Sequence, residues 1–325
     1  MSSSTLTAIQ NQLSLYGNAI FAVVGNIGNV FIILIFGRQH TTACSIYLIS
    51  SAVVNFIFLT VNGYFQIFPF NYSGGTNGSI IFCKVSAYIL NVLGQLSKTI
   101  LIFACMDRFL ITSERASIRA FTTIKRAKYL ILLSFIFWSL FTLHVPIMRT
   151  VTNGRCGASG IYSTIFAFLF VSLFPIIIAA IFGHLTYQNM RQMQIRVHPT
   201  VQNTNNFLQR RDRDLLTIVT AEIITYVVTT TLYPVILLET IISQNVVSNK
   251  SVLYSQIEGF ILSIAYLLLF SNSAAPFYTY FIASKSFRRD FKKLIVNIYH
   301  KITRQKPVEN NTTITRALTQ QETRV

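Results

Sequence analysis

The chain has 325 residues, 52% of them hydrophobic and only 11% charged, against roughly a quarter charged in an ordinary soluble domain. That balance excludes a water-soluble enzyme and supplies enough apolar residues for several membrane-spanning helices of about 20 residues each. The net charge of +17 calls for an anionic partner, and because the cations lie between apolar segments, that partner is a membrane surface rather than a nucleic acid.

In chain order, the first fourteen residues are polar and uncharged. No basic stretch precedes a short apolar core, so no cleavable signal peptide is expected and the first span serves as its own insertion signal. Windows of about 19 residues place apolar spans near 15–37, 45–68, 82–111, 127–149, 161–189, 212–242 and 253–283. The longer ones imply tilt or projection beyond the bilayer. The expected fold is an all-α membrane protein: an extracellular segment over 1–14, a seven-helix bundle over 15–284, a short amphipathic eighth helix over 285–300 and a disordered cytoplasmic tail over 301–325.

Orientation follows from the Lys and Arg residues of the connections. Twenty-two of the 27 fall on one side and four on the other, with Lys98 inside the third span. This predicts an extracellular N-terminus and a cytoplasmic C-terminus in the plasma membrane. Glycosylation sequons at Asn71, Asn77 and Asn249 all fall in connections assigned to the outside. No internal repeat of the transporter kind is present. The four cysteines form neither a dense disulfide framework nor a close-spaced metal pattern, and no catalytic triad or phosphate loop occurs, so no enzyme activity and no cofactor are expected.

Polar residues inside a span are costly unless satisfied, which makes each a functional candidate. Asn29 in the first span, Asn55 in the second, Ser97 in the third, and Asn272 with Ser273 in the seventh lie at depths where they can meet as a shared polar core.

Together with these, a set of residues at characteristic spacings resembles the rhodopsin-like family of G-protein-coupled receptors from about Gly28 to Lys293. Gly28-Asn29 resembles the family's first-span pair. Cys83 opens the third span and Asp107-Arg108-Phe109 closes it, with 25 residues from the cysteine to the arginine. Trp138 lies mid-way along the fourth span; Pro175, Pro234 and Pro276 match the prolines of the fifth, sixth and seventh; and Phe287-Arg288-Arg289-Asp290-Phe291 resembles the start of the eighth helix.

The resemblance implies roles for particular residues. A Cys83–Cys156 disulfide would pin the second outer loop to the third span, while Cys44 and Cys105, toward the cytoplasm, stay reduced. Arg108 would be held by Asp107 and by Asp214 at the base of the sixth span. Activation would break that clamp as the sixth helix swings out about Pro234, exposing Arg108 to a G protein. The departures matter too. Asn55 replaces the second-span aspartate, removing the full charge of a sodium site. Ala275 replaces the asparagine before Pro276, Thr279 stands in the tyrosine position between Tyr278 and Tyr280, and Leu232 beside Tyr233 replaces the sixth-span tryptophan. Lys98, ten residues before Arg108 and so about 15 Å along the helix, is a candidate switch residue near Pro175.

Leu90 replaces the aspartate of amine receptors and Leu269 the retinal lysine of opsins, so biogenic amines and light are not expected inputs. The remaining ligand candidates are Asn91 and Gln95 on the third span, Arg155 in the outer loop, Glu239 on the sixth and Glu258 on the seventh. Rim carboxylates suit an Arg-containing peptide, and the pattern is most similar to invertebrate neuropeptide receptors. A small-molecule chemosensory receptor of the same fold is the alternative, and a transporter or channel the alternative of another class. Residues 285–300 alternate cations with an apolar stripe suited to the inner leaflet's lipids. The Thr-rich tail implies phosphorylation and arrestin binding, and Thr323 and Val325 at the end resemble a ligand for a PDZ-domain protein.

Overall fold

The computed structural model describes residues 3–38, 42–71, 80–113, 115–152, 155–158, 165–196, 205–246 and 250–303. The chain divides into two units, Met1–Lys285 and Ser286–Val325. Among the described residues of the first, seven helical stretches are long and apolar enough to cross a membrane. The first three spans are single helices: α1 (Ser3–Gly37), α2 (Ala43–Asn71) and α3 (Ile80–Ile111). After the one-turn α4 (Ala116–Arg119), the fourth span runs through α5 (Ile124–Phe141) and continues into α6 (His144–Met148). The start of α5 is set by Thr123, whose hydroxyl accepts the Arg126 amide at the N-cap.

The other three spans are interrupted, and each interruption carries an expected proline. The fifth begins as a π-helical segment, Ala167–Leu173, and becomes α7 (Phe174–Arg196) around Pro175. The sixth breaks between α8 (Asn205–Thr230) and α9 (Leu232–Val246), just ahead of Pro234. The seventh breaks between α10 (Val252–Ala274) and α11 (Pro276–Ala283). Proline has no N–H for the carbonyl four residues earlier and crowds it sterically, so the breaks are written locally in the chain.

Two features lie beyond what the sequence reading addressed. The N-terminal segment over 1–14 is helical from Ser3, and Gln10 donates to the Ser263 hydroxyl of the seventh span at 2.7 Å. Its polar side chains hide it from a hydropathy window, yet they give it a partner. The connection before the fifth span holds an antiparallel hairpin, β1 (Arg149–Thr152) with β2 (Arg155–Ala158), in which Val151 faces Cys156. Four-residue strands inside a connection leave too short a pattern to read.

Polar contacts fix the helix pairs. Asn62 donates to Asn18 across the first and second spans at 3.0 Å, and Asn26 to Thr60 at 2.9 Å. Trp138 Nε1 donates to the Thr99 hydroxyl at 2.8 Å, joining fourth to third, and that hydroxyl in turn donates to the Gln95 carbonyl at 2.9 Å. Such bonds substitute for the hydrophobic drive that lipid cannot supply between helices. Trp138→Phe removes one of them while keeping an aromatic body, and should cost about 1 kcal/mol. Thermal unfolding of the detergent-solubilised protein would show this as a lower midpoint, and an unchanged midpoint would refute the pinning role. Large apolar side chains such as Val23, Ile27, Leu133, Phe137 and Val228 point outward, as a lipid-facing surface requires.

The second unit contains most of α12 (Lys285–Ile302). Phe287, Phe291, Leu294 and Ile298 recur at helical spacing opposite Arg288, Arg289, Lys292 and Lys293, as expected for the amphipathic eighth helix.

Candidate functional site

The third span organises the interior. At the end nearest the hairpin, Cys83 is buried and disulfide-bonded; the side chain of Cys156 lies outside the described residues. Cys44 and Cys105 are buried thiols outside any disulfide. At the opposite end Arg108, 1% exposed, donates through Nη2 to Asp107 Oδ2 at 2.6 Å. Asp214 is half-buried in α8.

Between these ends lies a cavity of about 310 Å³ lined by the second to seventh spans, with Ser51, Asn55 and Phe58 of the second and His144, Val145 and Met148 of the fourth among its walls. Asn91, Gln95 and Lys98 all line it. They stand at i, i+4 and i+7, one stripe of one helix face. Asn91 Nδ2 donates to the Ala87 carbonyl at 2.8 Å. Gln95 is 2% exposed, and neither its amide nitrogen nor its oxygen has a hydrogen-bond partner among the described residues. Lys98 Nζ donates to the Val171 carbonyl at 2.6 Å. Val171 lies in the π-helical segment that leads into Pro175. An ammonium on one span therefore serves an irregularity on another.

The polar core assembles in two pieces. Ser97 donates to Asn55 Oδ1 at 2.6 Å, with Asn55 Nδ2 3.5 Å from the Ser51 hydroxyl. Asn29 Nδ2 donates to the Ser273 carbonyl at 3.1 Å, and Asn272 and Ser273 line the same cavity.

The expected switch residues have distinct surroundings. Leu232 packs on a cluster of Tyr233, Ile236, Leu237 and Ala265. The Tyr233 hydroxyl donates to that of Tyr266 at 3.4 Å. Tyr278 reaches the Val24 carbonyl of the first span at 3.0 Å. Tyr280 is buried and donates to Glu222 of the sixth span. Beside this bond, the hydroxyls of Thr225 and Thr279 meet at 3.3 Å. Glu222, 5% exposed and lining the cavity, is a candidate residue that sequence reasoning missed. Its signal was a lone acid within the apolar stretch from Thr217 to Val228, which the rule for intramembrane charge flags directly.

The rim carboxylates are already engaged. Glu258 accepts from Lys250 and, at 2.7 Å, from the Ser243 hydroxyl, which itself accepts from Lys250 at 2.8 Å. Glu239 accepts from Tyr254, whose ring has the Lys250 ammonium 5.1 Å from its centroid. Neither acid lines the cavity, while Arg149 does. The side chains of Arg155, Asn71, Asn77, Asn249, Thr323 and Val325 lie outside the described residues.

A buried arginine–aspartate pair at one end, a disulfide-bonded cysteine at the other, and a cavity walled by proline-broken helices are the parts of a membrane receptor. Among curated proteins no relative matches the chain. Residues 26–276 match the family model for the 7 transmembrane receptors of the rhodopsin family, and the chain belongs to that family.

Proposed function

We propose that this receptor admits a small extracellular ligand into the cavity along the third span and passes its binding to a heterotrimeric G protein through outward movement of the sixth helix. The observation that carries the reading is the contrast between the two sets of ligand candidates. Glu258 is satisfied by Lys250 and Ser243, and Glu239 accepts from Tyr254 through one oxygen; a cationic peptide would have to displace those partners, and neither acid lines the cavity. Gln95 instead presents an unpartnered amide to the cavity, and a buried polar group left unmatched costs about 1–3 kcal/mol that a ligand can recover. The geometry thus favours the small-molecule reading over the neuropeptide one.

The rest of the proposal follows the charge bias and the family. The N-terminus and the hairpin face outward, with a Cys83–Cys156 disulfide tying the hairpin to the third span and Asn71, Asn77 and Asn249 available for glycosylation. Arg108, Asp107 and Asp214 form the coupling region on the cytoplasmic side, followed by the amphipathic helix on the inner leaflet. Beyond it, a phosphorylatable tail binds arrestin and, through Thr323 and Val325, a PDZ-domain protein.

The test is G-protein nucleotide exchange in cell membranes, with a small-molecule library and a neuropeptide library applied to the wild-type chain, Asp214→Ala and Arg108→Ala. A small-molecule response, raised basal exchange in Asp214→Ala and silence in surface-delivered Arg108→Ala are expected. Responses confined to peptides would overturn the ligand reading, and ligand-coupled flux without exchange would overturn the receptor reading.

A further inference from the structure

The Lys98 ammonium raises a question of charge balance. It has three donors, and its partner among the described residues is the neutral Val171 carbonyl. The acid that shares its cavity, Glu222, is held by Tyr280, and no ion pair joins Glu222 to Lys98 among the described residues. A cation inside a membrane span without a counter-charge is strongly disfavoured. One turn away, the Gln95 amide stands 2% exposed and unpartnered in the same cavity. Residues three apart on a helix share a face, so the ammonium and the amide nitrogen form a pair of donors aimed at one region.

We infer that the ligand of this cavity is a small amphipathic carboxylic acid whose carboxylate is received by Lys98 and Gln95. This rests on the small-ligand reading above and names its chemistry. The anion supplies the charge that Lys98 lacks, and one of its oxygens accepts from the Gln95 amide. The walls toward the hairpin, including Leu90, Phe166, Leu269 and Phe270, receive an apolar body. A cavity of about 310 Å³ stands at the small end of ligand sites, which limits that body to a short chain or a single ring. Because Lys98 also holds a carbonyl of the π-helical segment that leads into Pro175, the carboxylate acts where the fifth span is irregular.

The experiment measures thermal stabilisation of the purified full-length receptor in detergent by hexanoate, octanoate and benzoate, each set against its primary amide and alcohol. The acids should stabilise and the neutral analogues should not. Lys98→Met should weaken the apparent affinity for the acids by about 10–150-fold, the range expected for losing a hydrogen bond to a charged group. Lys98→Arg should retain most of it, and Gln95→Leu should lose about 10-fold. If Lys98→Met fails to accumulate, the contrast of Lys98→Arg and Gln95→Leu with wild type decides the matter. Equal stabilisation by amides and alcohols overturns the carboxylate while sparing the small-ligand reading. Loss of acid binding in Arg149→Gln but not in Lys98→Met moves the anion to the cavity mouth and overturns the site. Silence from the acids overturns the inference, and if cationic peptides alone stabilise, the small-ligand reading fails with it.

Discussion

Tyr280→Phe should raise basal nucleotide exchange about tenfold or more at matched surface levels. The hydroxyl it deletes bridges the sixth and seventh spans through Glu222, in a place where both residues are almost completely buried. A hydrogen bond to a carboxylate contributes about 1.5–3 kcal/mol, and its loss leaves the buried acid without that donor. About 1.4 kcal/mol is a tenfold change in an equilibrium, so a receptor that opens by moving its sixth helix would shift strongly toward the open form. Glu222→Gln keeps a hydrogen-bonding group and should have a smaller effect. The double variant with Tyr280→Phe should add little to the larger single change, since both break one contact. Tyr278→Phe is the control, because its hydroxyl serves the Val24 carbonyl of the first span and leaves the sixth free. Basal exchange unchanged in Tyr280→Phe, or raised equally in Tyr278→Phe, would show that the bond does not hold the resting arrangement.

Why the sequence revealed Tyr280 and not its partner is a matter of range. Hydropathy is a local signal that placed the seven spans, and the prolines matched in the sequence mark where the sixth and seventh break, because a missing N–H acts on the carbonyl four residues back. The polar candidates Asn29, Asn55 and Ser97 were also legible, since they are conspicuous in apolar segments. Pairings are a different kind of information. That Glu222 meets Tyr280, or that Lys98 meets Val171 rather than an acid, depends on which faces of distant helices turn inward, and no single-helix pattern encodes that. The rim shows the same limit. Glu258 looked available for a cationic ligand because Lys250 and Ser243, which satisfy it, lie eight and fifteen residues away across a connection. The polar start of α1 and the hairpin were missed for the opposite reason: their patterns are local but too short or too polar for a membrane window.

Gly25→Ala should destabilise the folded bundle by about 1–3 kcal/mol, the usual cost of overpacking, and lower the melting midpoint of the solubilised receptor. A methyl group at Gly25 would stand 2.5 Å from Leu59 Cδ1, 2.7 Å from Ala274 Cβ and 2.8 Å from Ala274 Cα. The leucine tip can rotate away, but the Ala274 Cα is backbone, so relief requires the first and seventh spans to separate. Gly28, one turn on, repeats the arrangement with Phe277 Cβ at 2.8 Å. The glycines and their partners are both three residues apart, giving a close-packed seam of the small-residue kind that brings membrane helices together. The same seam lets Asn29 reach the Ser273 carbonyl, so forcing it apart also removes a bond of the polar core. Gly259→Ala provides the internal comparison: it lies within α10 with nothing within 4 Å of an added methyl. It should be neutral or stabilising by up to about 1 kcal/mol, through helix propensity alone. Equal midpoints for the Gly25 and Gly259 variants would mean that the first and seventh spans are not in close contact.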